Sequence, residues 1–434
     1  MRARTCLAAA LASLALAGCG RSSQPAGAAV GPTPALAAPH HRLIPTVKIA
    51  RPVGWPAGRT PLAAPGLRVE ALARGLVHPR SLLVLPDGDV LVAETNGPAH
   101  PPPTGLRAIA EKLVMGMVGA DVPSPNRIIL LRGRGPDGTA QSRSVFLQGL
   151  NSPFGMALVG DQLYVADTDA LLRFPYVTGE TRITAPAVKV ADLPAGPIDH
   201  HWTKTIAVAR GGGALFVSIG SNSNIGENGM AAEKGRARVV EIDLAGGRIQ
   251  PFATGLRNAV GLAVDPATGA LWAAVNERDE LGDHLPPDYL TDVRRGAFYG
   301  WPYSYWGRHV DPRVKPQRPD LVAAAVTPDY ALGAHVAPLG LAFAHGAALG
   351  ARFGDGAFVG EHGSWNRSVL SGYEVVFVAF ANGRPAGKPQ AVLGGFLNRK
   401  GEAMGRPVGV AVDASGALLV ADDVGGAVWR VSAR

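Results

Sequence analysis

One phrase recurs along this chain and limits what it can fold into. It is a glycine-containing turn, a proline or small residue, a short apolar run, a tight turn and a second apolar run. It reads GLVHPRSLLVLPDGDVLVAE from Gly75, GLNSPFGMALVGDQLYVAD from Gly149 and, as a variant, TKTIAVARGGGALFVSIG from Thr203. It returns as GLRNAVGLAVDPATGALWAAV from Gly255, PLGLAFAHG from Pro338 and GRPVGVAVDASGALLVADD from Gly405. The linkers PDG, GD, GGG, ATG and SG are hairpin signals. Runs of about five Val, Leu, Ala and Ile residues have the length and chemistry of buried strands. Six such phrases at roughly 60 residues each suit blades of four strands. The chain is therefore expected to be all-β: a six-bladed β-propeller with four-stranded antiparallel blades and loop insertions. One insertion, LRAIAEKLVMGMVG at 106–119, has apolar residues at helical spacing and predicts a short helix packed on the rim.

The N-terminus bears on compartment. Arg2 and Arg4 precede an apolar run over 6–17, the charged and apolar regions of a secretory signal. That run is about twelve residues, whereas a membrane-crossing helix needs roughly twenty. It ends in Leu16-Ala17-Gly18-Cys19, which resembles a bacterial lipoprotein signal. The expected organisation is a signal peptide over 1–18, a flexible Ala/Pro/Gly-rich tether over 19–66 and a catalytic propeller over 67–434. Cys6 would leave with the signal, so the mature chain would keep only Cys19, lipidated. That excludes disulfides, a CxxCH haem site and a cysteine zinc site. Gly20, where retention at the inner membrane would call for Asp, predicts an outer-membrane lipoprotein facing the periplasm.

Lys and Arg number 42 against 34 Asp and Glu, a net charge of +8. The basic clusters, such as RGRG from Arg132, are short and lack interleaved aromatics, which argues against nucleic-acid binding. A moderate positive charge suits an anionic cofactor or an acidic surface.

Four dense clusters sit at strand ends, where a propeller gathers its variable loops. DHHWTK holds Asp199, His200, His201 and Lys204. An imidazole titrates near neutrality and can accept a proton from a sugar hydroxyl, and Asp199 is placed to orient it. Strand alternation turns adjacent histidines opposite ways, so at most one reaches a common centre; both can equally be structural. GLRNAVGLA offers Arg257, a planar fork for an oxyanion, and the amide of Asn258. VNERDELGD packs Glu277, Arg278 and Asp279 into an oxygen-rich turn of a kind that suits calcium, although its spacing is not that of an EF-hand and it can equally be a salt-bridged surface turn. FYGWPYSYWG, with Trp301, can form a flat wall for a planar cofactor or can simply be core. HGSWNR and GRPVG add Arg367 and Arg406 at corresponding blade positions.

Together, HHWTK, VSIGSNSN, GLRNAVGLA, VNERDELGD, FYGWPYSYWG, FVGEHGSWNRS and GRPVGVAVD resemble the sorbosone dehydrogenase branch of the soluble glucose dehydrogenase-like quinoproteins. The resemblance runs from about Val69 to Ser432. It implies a six-bladed propeller holding pyrroloquinoline quinone, usually with calcium, that oxidises sugars or sugar aldehydes outside the cytoplasm. It places the histidine base on His200, four before Lys204, with His201 as fallback. It gives quinone contacts to Arg257, Asn258, Arg406, Arg367 and Arg80, and calcium-binding carbonyls near Glu277 and Arg278. Two departures stand out: Val408 replaces a second basic residue two after Arg406, and the calcium turn reads ERD instead of Gly-Pro. The implied reaction is removal of the hydroxyl proton by the histidine with hydride transfer to the quinone, an aldehyde reacting as its hydrate. An external electron acceptor must then reoxidise the cofactor. The competing readings are a calcium-dependent propeller lactonase or esterase, and a non-catalytic propeller that binds envelope partners.

Overall fold

The computed structural model describes residues 29–40, 46–99, 116–117, 122–344, 346 and 348–434. Six antiparallel four-stranded sheets form the blades of a β-propeller. The first blade comprises Pro79–Val84, Val90–Glu94, Arg127–Arg132 and Ser142–Gln148. The second is built from Gly155–Val159, Gln162–Ala166, Ala170–Pro175 and Val188–Asp192. Ile206–Val208, Ala214–Ile219, Arg238–Asp243 and Ile249–Thr254 make the third. The fourth has Asn258–Val264, Leu271–Asn276, Pro287–Asp292 and Tyr330–Ala334. The fifth has Pro338–Phe343, Gly356–Glu361, Glu374–Ala381 and Arg384–Gly394. In the sixth, Pro407–Val412, Leu418–Asp422 and Ala427–Ala433 are completed by the N-terminal strand Leu67–Arg74. That strand pairs Leu67 with Ala433 and Arg74 with Ala427, so the two ends of the propeller domain close the ring.

The repeated phrase begins with the innermost strand of each blade and, in full, supplies the second strand as well. Its glycine has a mechanical reason: a Cβ on Gly340 would lie 2.2 Å from the Val408 carbonyl oxygen. One on Gly155 would lie 2.5 Å from the Lys204 oxygen, and one on Gly409 2.4 Å from the Arg80 oxygen. Neighbouring inner strands thus pass backbone against backbone around the axis, which only glycine permits. Behind them, six apolar clusters fill the six gaps between successive blades, for example Phe358 and Phe377 of the fifth against Val420 and Trp429 of the sixth. A seventh cluster of Phe154, Val260 and Val408 plugs the axis itself. This is the physical reason that position 408 is apolar where the family resemblance led us to expect a cation.

Two regions differ from the sequence expectation. The stretch read as a flexible tether lies, over its described residues, on the propeller. Gly31 bridges Ala331, and the Lys48 N–H donates to the Trp365 carbonyl. Arg51 and Val53 pair with Ala403, and Leu62–Ala63 adds a fifth strand to the fifth blade. Trp55 donates to Asp422 Oδ2 at 2.6 Å and packs edge-on against Phe396 and Trp429. An extended, proline-rich segment can still exchange backbone hydrogen bonds with a neighbour, and one aromatic anchor is enough to seat it. The segment FYGWPYSYWG belongs to an insertion in the fourth blade that also carries a short hairpin and the helix α1, Pro319–Ala324. The helix expected over 106–119 falls outside the described residues, apart from Gly116 and Met117, and the lipoprotein signal falls wholly outside them.

Adding one methyl group at an axial glycine tests the close approach. Gly340→Ala should cost about 3 kcal/mol or more, since the clashing atom is backbone and cannot step aside. Gly213→Ala, in an open hairpin turn with nothing within 4 Å of its Cβ, should leave the thermal midpoint unchanged. Equal midpoints for the two variants would contradict this account of the axis.

Candidate active site

The loops that lead into the inner strands and the loops that follow the second strands converge on one end of the axis. There they line a cavity of about 390 Å³ with His200, His201, Arg257, Asn258, Asn276, Glu277, Asp279, Asp288, His335 and the stretch Gly363 to Asn366. Six of the residues expected from the sequence therefore meet here: His200, His201, Arg257, Asn258, Glu277 and Asp279.

The two histidines play different parts. His201 Nδ1 lies 2.9 Å from the Ser221 carbonyl oxygen and 3.0 Å from Ser221 Oγ. Ser221 Oγ donates to the Ser223 carbonyl, so Nδ1–H is the donor toward Ser221 and Nε2 keeps its lone pair. Burial, helped by the nearby Arg257 and His200, holds the His201 pKa well below the ordinary imidazole range. The ring is thus neutral and oriented. His200 is exposed at the mouth and rests edge-on against His201, with 4.6 Å between ring centroids.

Asp199 does not orient either imidazole directly, contrary to the sequence expectation. Its carboxylate turns inward, accepting from Arg236 Nη1 at 2.6 Å and Thr168 Oγ1 at 2.7 Å, with Lys204 Nζ at 3.8 Å. A buried acid beside two cations is drawn toward them and not toward a neutral ring. Arg236 relays the effect by donating to the His201 carbonyl oxygen at 2.8 Å. Sequence reasoning missed Arg236, which lies in a turn without any motif.

Arg257 is held by its surroundings. Nε donates to the Asn224 carbonyl, Nη1 to the Glu277 and Asn276 carbonyls, and Nη2 to Asn224 Oδ1 and Asp279 Oδ2. Asp279 also accepts from Asn366 Nδ2 at 2.5 Å and faces His335 Nδ1 at 3.5 Å. Burial opposes its ionisation, but Arg257 and His335 outweigh that and hold its carboxyl at about 2. Burial also opposes protonation of His335, yet Asp279 raises its pKa. Asp288 accepts the Glu277 and Ala337 backbone N–H groups, and burial pushes it up to about 6. Burial pushes Glu277 to about 7; its Oε1 accepts the Arg278 N–H, while Oε2 has no partner.

Three expected site residues point elsewhere. The Arg278 side chain pairs with Asp311 and the Asp279 carbonyl, away from the cavity. Trp301 is buried and donates to the Asn224 carbonyl at 2.9 Å, bracing the residue that braces Arg257; it forms no part of the wall. The aromatic ring that does line the cavity is Trp365. Arg367 donates to the Ala334 carbonyl and approaches His284, so it does not converge with the other arginines.

Arg80 and Arg406 lie at the junction of the first and sixth blades. Arg80 pairs with Asp423 at 2.9 Å, and Asp423 also meets His362 Nε2 at 2.9 Å and His78 at 3.9 Å. Burial, only partly offset by Asp423, pushes His362 down to about 4. Arg406 is different. It is 2% exposed, lies over Tyr373 at 5.0 Å with a side-chain hydrogen bond to it, and donates to the Ala50 carbonyl of the N-terminal segment at 3.4 Å. Among the described residues no carboxylate comes within ion-pair distance of it, and its Nε has no partner. Tyr373 in turn donates to Ser364 in the cavity wall. A buried cation without a paired carboxylate is costly.

Known proteins resemble this chain in sequence and in fold. An uncharacterised protein of Borreliella burgdorferi is 28% identical over 292 residues, covering 65% of this chain and 76% of that protein. A pyrroloquinoline quinone-dependent pyranose dehydrogenase of Coprinopsis cinerea is 28% identical over 222 residues, 41% of this chain and 30% of that enzyme. The holo form of the pyrroloquinoline quinone domain of a Coprinopsis cinerea pyranose dehydrogenase superposes with a TM-score of 0.68 at 21% identity. It covers 89% of this chain and all of that one, a likeness of fold. A family model described as TrAA12-like matches residues 130–294 and 318–434, leaving out residues 1–129 and the middle of the fourth-blade insertion. The match takes in more than half of the chain and both halves of the cavity, and the protein belongs to the TrAA12-like family.

Proposed function

We propose that this protein oxidises a sugar or sugar aldehyde with pyrroloquinoline quinone and passes the electrons to an external acceptor. The observation that carries the proposal is His201, a neutral imidazole pinned through Nδ1 with its Nε2 free to accept a proton at the cavity. The names of two relatives support the class: the pyranose dehydrogenase above and the aldose sugar dehydrogenase YliI of Escherichia coli, 26% identical over 147 residues.

The residues present fit the quinone. Its carboxylates would meet Arg406, whose buried charge lacks a counter-ion, with Arg80 beside it and Asn258 and Trp365 along the cavity. When bound, the quinone supplies the two-electron acceptor for the hydride of the carbon being oxidised. His201 Nε2 takes the hydroxyl proton of the substrate, or of the hydrate when the substrate is an aldehyde. Ser221 keeps the ring in the accepting tautomer, and the Asp199–Arg236 pair fixes the backbone that carries it. Arg257 supplies a fixed positive field across the cavity without spending a donor on the substrate.

Kinetics distinguish the two histidines. His201→Ala should lower kcat by about a hundred- to ten-thousand-fold, the worth of a general base, whereas His200→Ala should change it less than about tenfold. A protein inactivated only by His200→Ala would move the base to His200. Because the His201 pKa is depressed, its neutral form persists as pH falls through about 6.5, the ordinary imidazole value. The acid limb of kcat/KM should accordingly begin below that pH; a limb at or above it would rule out this imidazole.

Arg406→Met tests the cofactor side. Losing a charge-assisted hydrogen bond of about 1.5–3 kcal/mol should weaken quinone binding at least roughly tenfold in an absorbance titration. The thermal midpoint of the quinone-free variant should stay level or rise, since an uncompensated buried charge has gone. A fall in the midpoint with quinone affinity intact would make Arg406 purely structural.

Lipidation of Cys19 and a periplasm-facing outer-membrane location complete the proposal. Roughly ten residues separate Cys19 from the first described residue, Ala29, so an anchor there reaches at most about 36 Å. Cys19→Ala should abolish the diacylglycerol mass and release the protein from membranes; unchanged fractionation would refute the anchor.

A further inference from the structure

The turn Glu277–Asp279 offers oxygens of the kind a divalent cation takes, yet those oxygens are already bonded. Arg257 has five N–H groups, and five acceptors surround it at 2.8–3.4 Å. Three are backbone carbonyls, of Asn224, Asn276 and Glu277; the others are Asn224 Oδ1 and Asp279 Oδ2. These are the mixed carbonyl and carboxylate oxygens that calcium selects, six to eight of them at about 2.3–2.6 Å. Asp279 Oδ1 accepts from Asn366, and the Arg278 side chain has left for Asp311. Glu277 Oε2 is the one side-chain oxygen of the set without a donor. No group of three or more His, Cys, Asp or Glu side chains that could hold a metal occurs among the described residues.

The cage is held from outside as well. Asn224 Oδ1 accepts from the Asp279 N–H, Trp301 donates to the Asn224 carbonyl, and Asp288 holds the Glu277 N–H. A dication could enter only by evicting a guanidinium that is 4% exposed, and any nearby position would set two cations side by side.

We infer that Arg257 takes the place of a divalent cation: the fixed positive charge at this end of the cavity is a guanidinium, and cofactor binding needs no calcium. The cofactor half of this inference rests on the quinone reading above; the metal half does not. Full-length, chelator-treated protein should give no calorimetric signal with calcium chloride up to about 1 mM, the range of weak extracellular sites. Its thermal midpoint should be the same in calcium and in EGTA. Pyrroloquinoline quinone titrated by absorbance should bind with affinities that agree within about twofold in the two buffers. Arg257→Ala opens the oxygen cage, so this variant should acquire calcium binding, and its quinone affinity should drop at least about tenfold in EGTA and recover in part with calcium. Arg257→Lys keeps one charge with fewer donors and should fall between them. Stoichiometric calcium binding by the parent protein, or loss of its quinone affinity on chelation, would overturn the inference. Failure of the parent to bind the quinone in either buffer would refute the proposed function instead, with the calcium titration still deciding the metal question.

Discussion

Everything at the mouth of this propeller depends on how closely its inner strands approach at the axis. Gly155, Gly340 and Gly409 bring their backbones against carbonyl oxygens of the next blade at distances no Cβ would allow. The plug of Phe154, Val260 and Val408 then closes the bore. With blades packed this tightly, the residue pairs that lead into each inner strand become fixed points on a small ring. Arg80, His201, Arg257, Ala337 and Arg406 occupy those points. A site built this way has little freedom to relax around a ligand, and its polar groups must be satisfied by residues from neighbouring blades.

That requirement explains the networks of buried charge. Asp199 is neutralised by Arg236 and Lys204, Asp279 by Arg257, and Asp423 by Arg80, with the His362 ring against it. In each case an acid from one loop meets a cation from another, and backbone carbonyls take the remaining N–H groups. Such clusters add little net stability compared with an apolar core, but removing one partner leaves a buried charge that is expensive. The N-terminal segment joins the same economy: Trp55 donates to Asp422, which also receives Trp429 and the Arg406 and Gly425 N–H groups. A segment whose composition suggests a loose linker thereby braces the blade that carries Arg406.

The fold was legible because its signal is local. Each inner strand carries its own hairpin turn, and four of the six carry their own glycine, so six phrases announce six blades without reference to one another. The His200–His201 pair, Arg257, Asn258 and the Glu277–Asp279 turn were legible for the same reason, since they adjoin those phrases. What stayed hidden was direction. Nothing in DHHWTK tells that the Asp199 carboxylate turns back toward Arg236, because Arg236 lies in another loop. Nothing in FYGWP tells that Trp301 backs Asn224 while Trp365, from HGSWNR, faces the cavity. His335 and Asn366 went unnoticed as site residues because their importance comes from meeting Asp279 across two blades.

The arginines carry this lesson furthest. Arg257, Arg278, Arg367 and Arg406 look alike in the sequence, each beside a strand end. The structure separates them by what they meet. Arg257 has an acceptor for every N–H, Arg278 has Asp311, and Arg367 has a carbonyl and a histidine. Arg406 has a long bond to the Ala50 carbonyl and the side chain of Tyr373, and its Nε has no partner. A fully bonded guanidinium acts on a ligand through its field alone, whereas an unfilled one has donors left to give. Repeat position therefore decides where a cation stands, and the acceptors supplied by other blades decide how many of its donors are occupied.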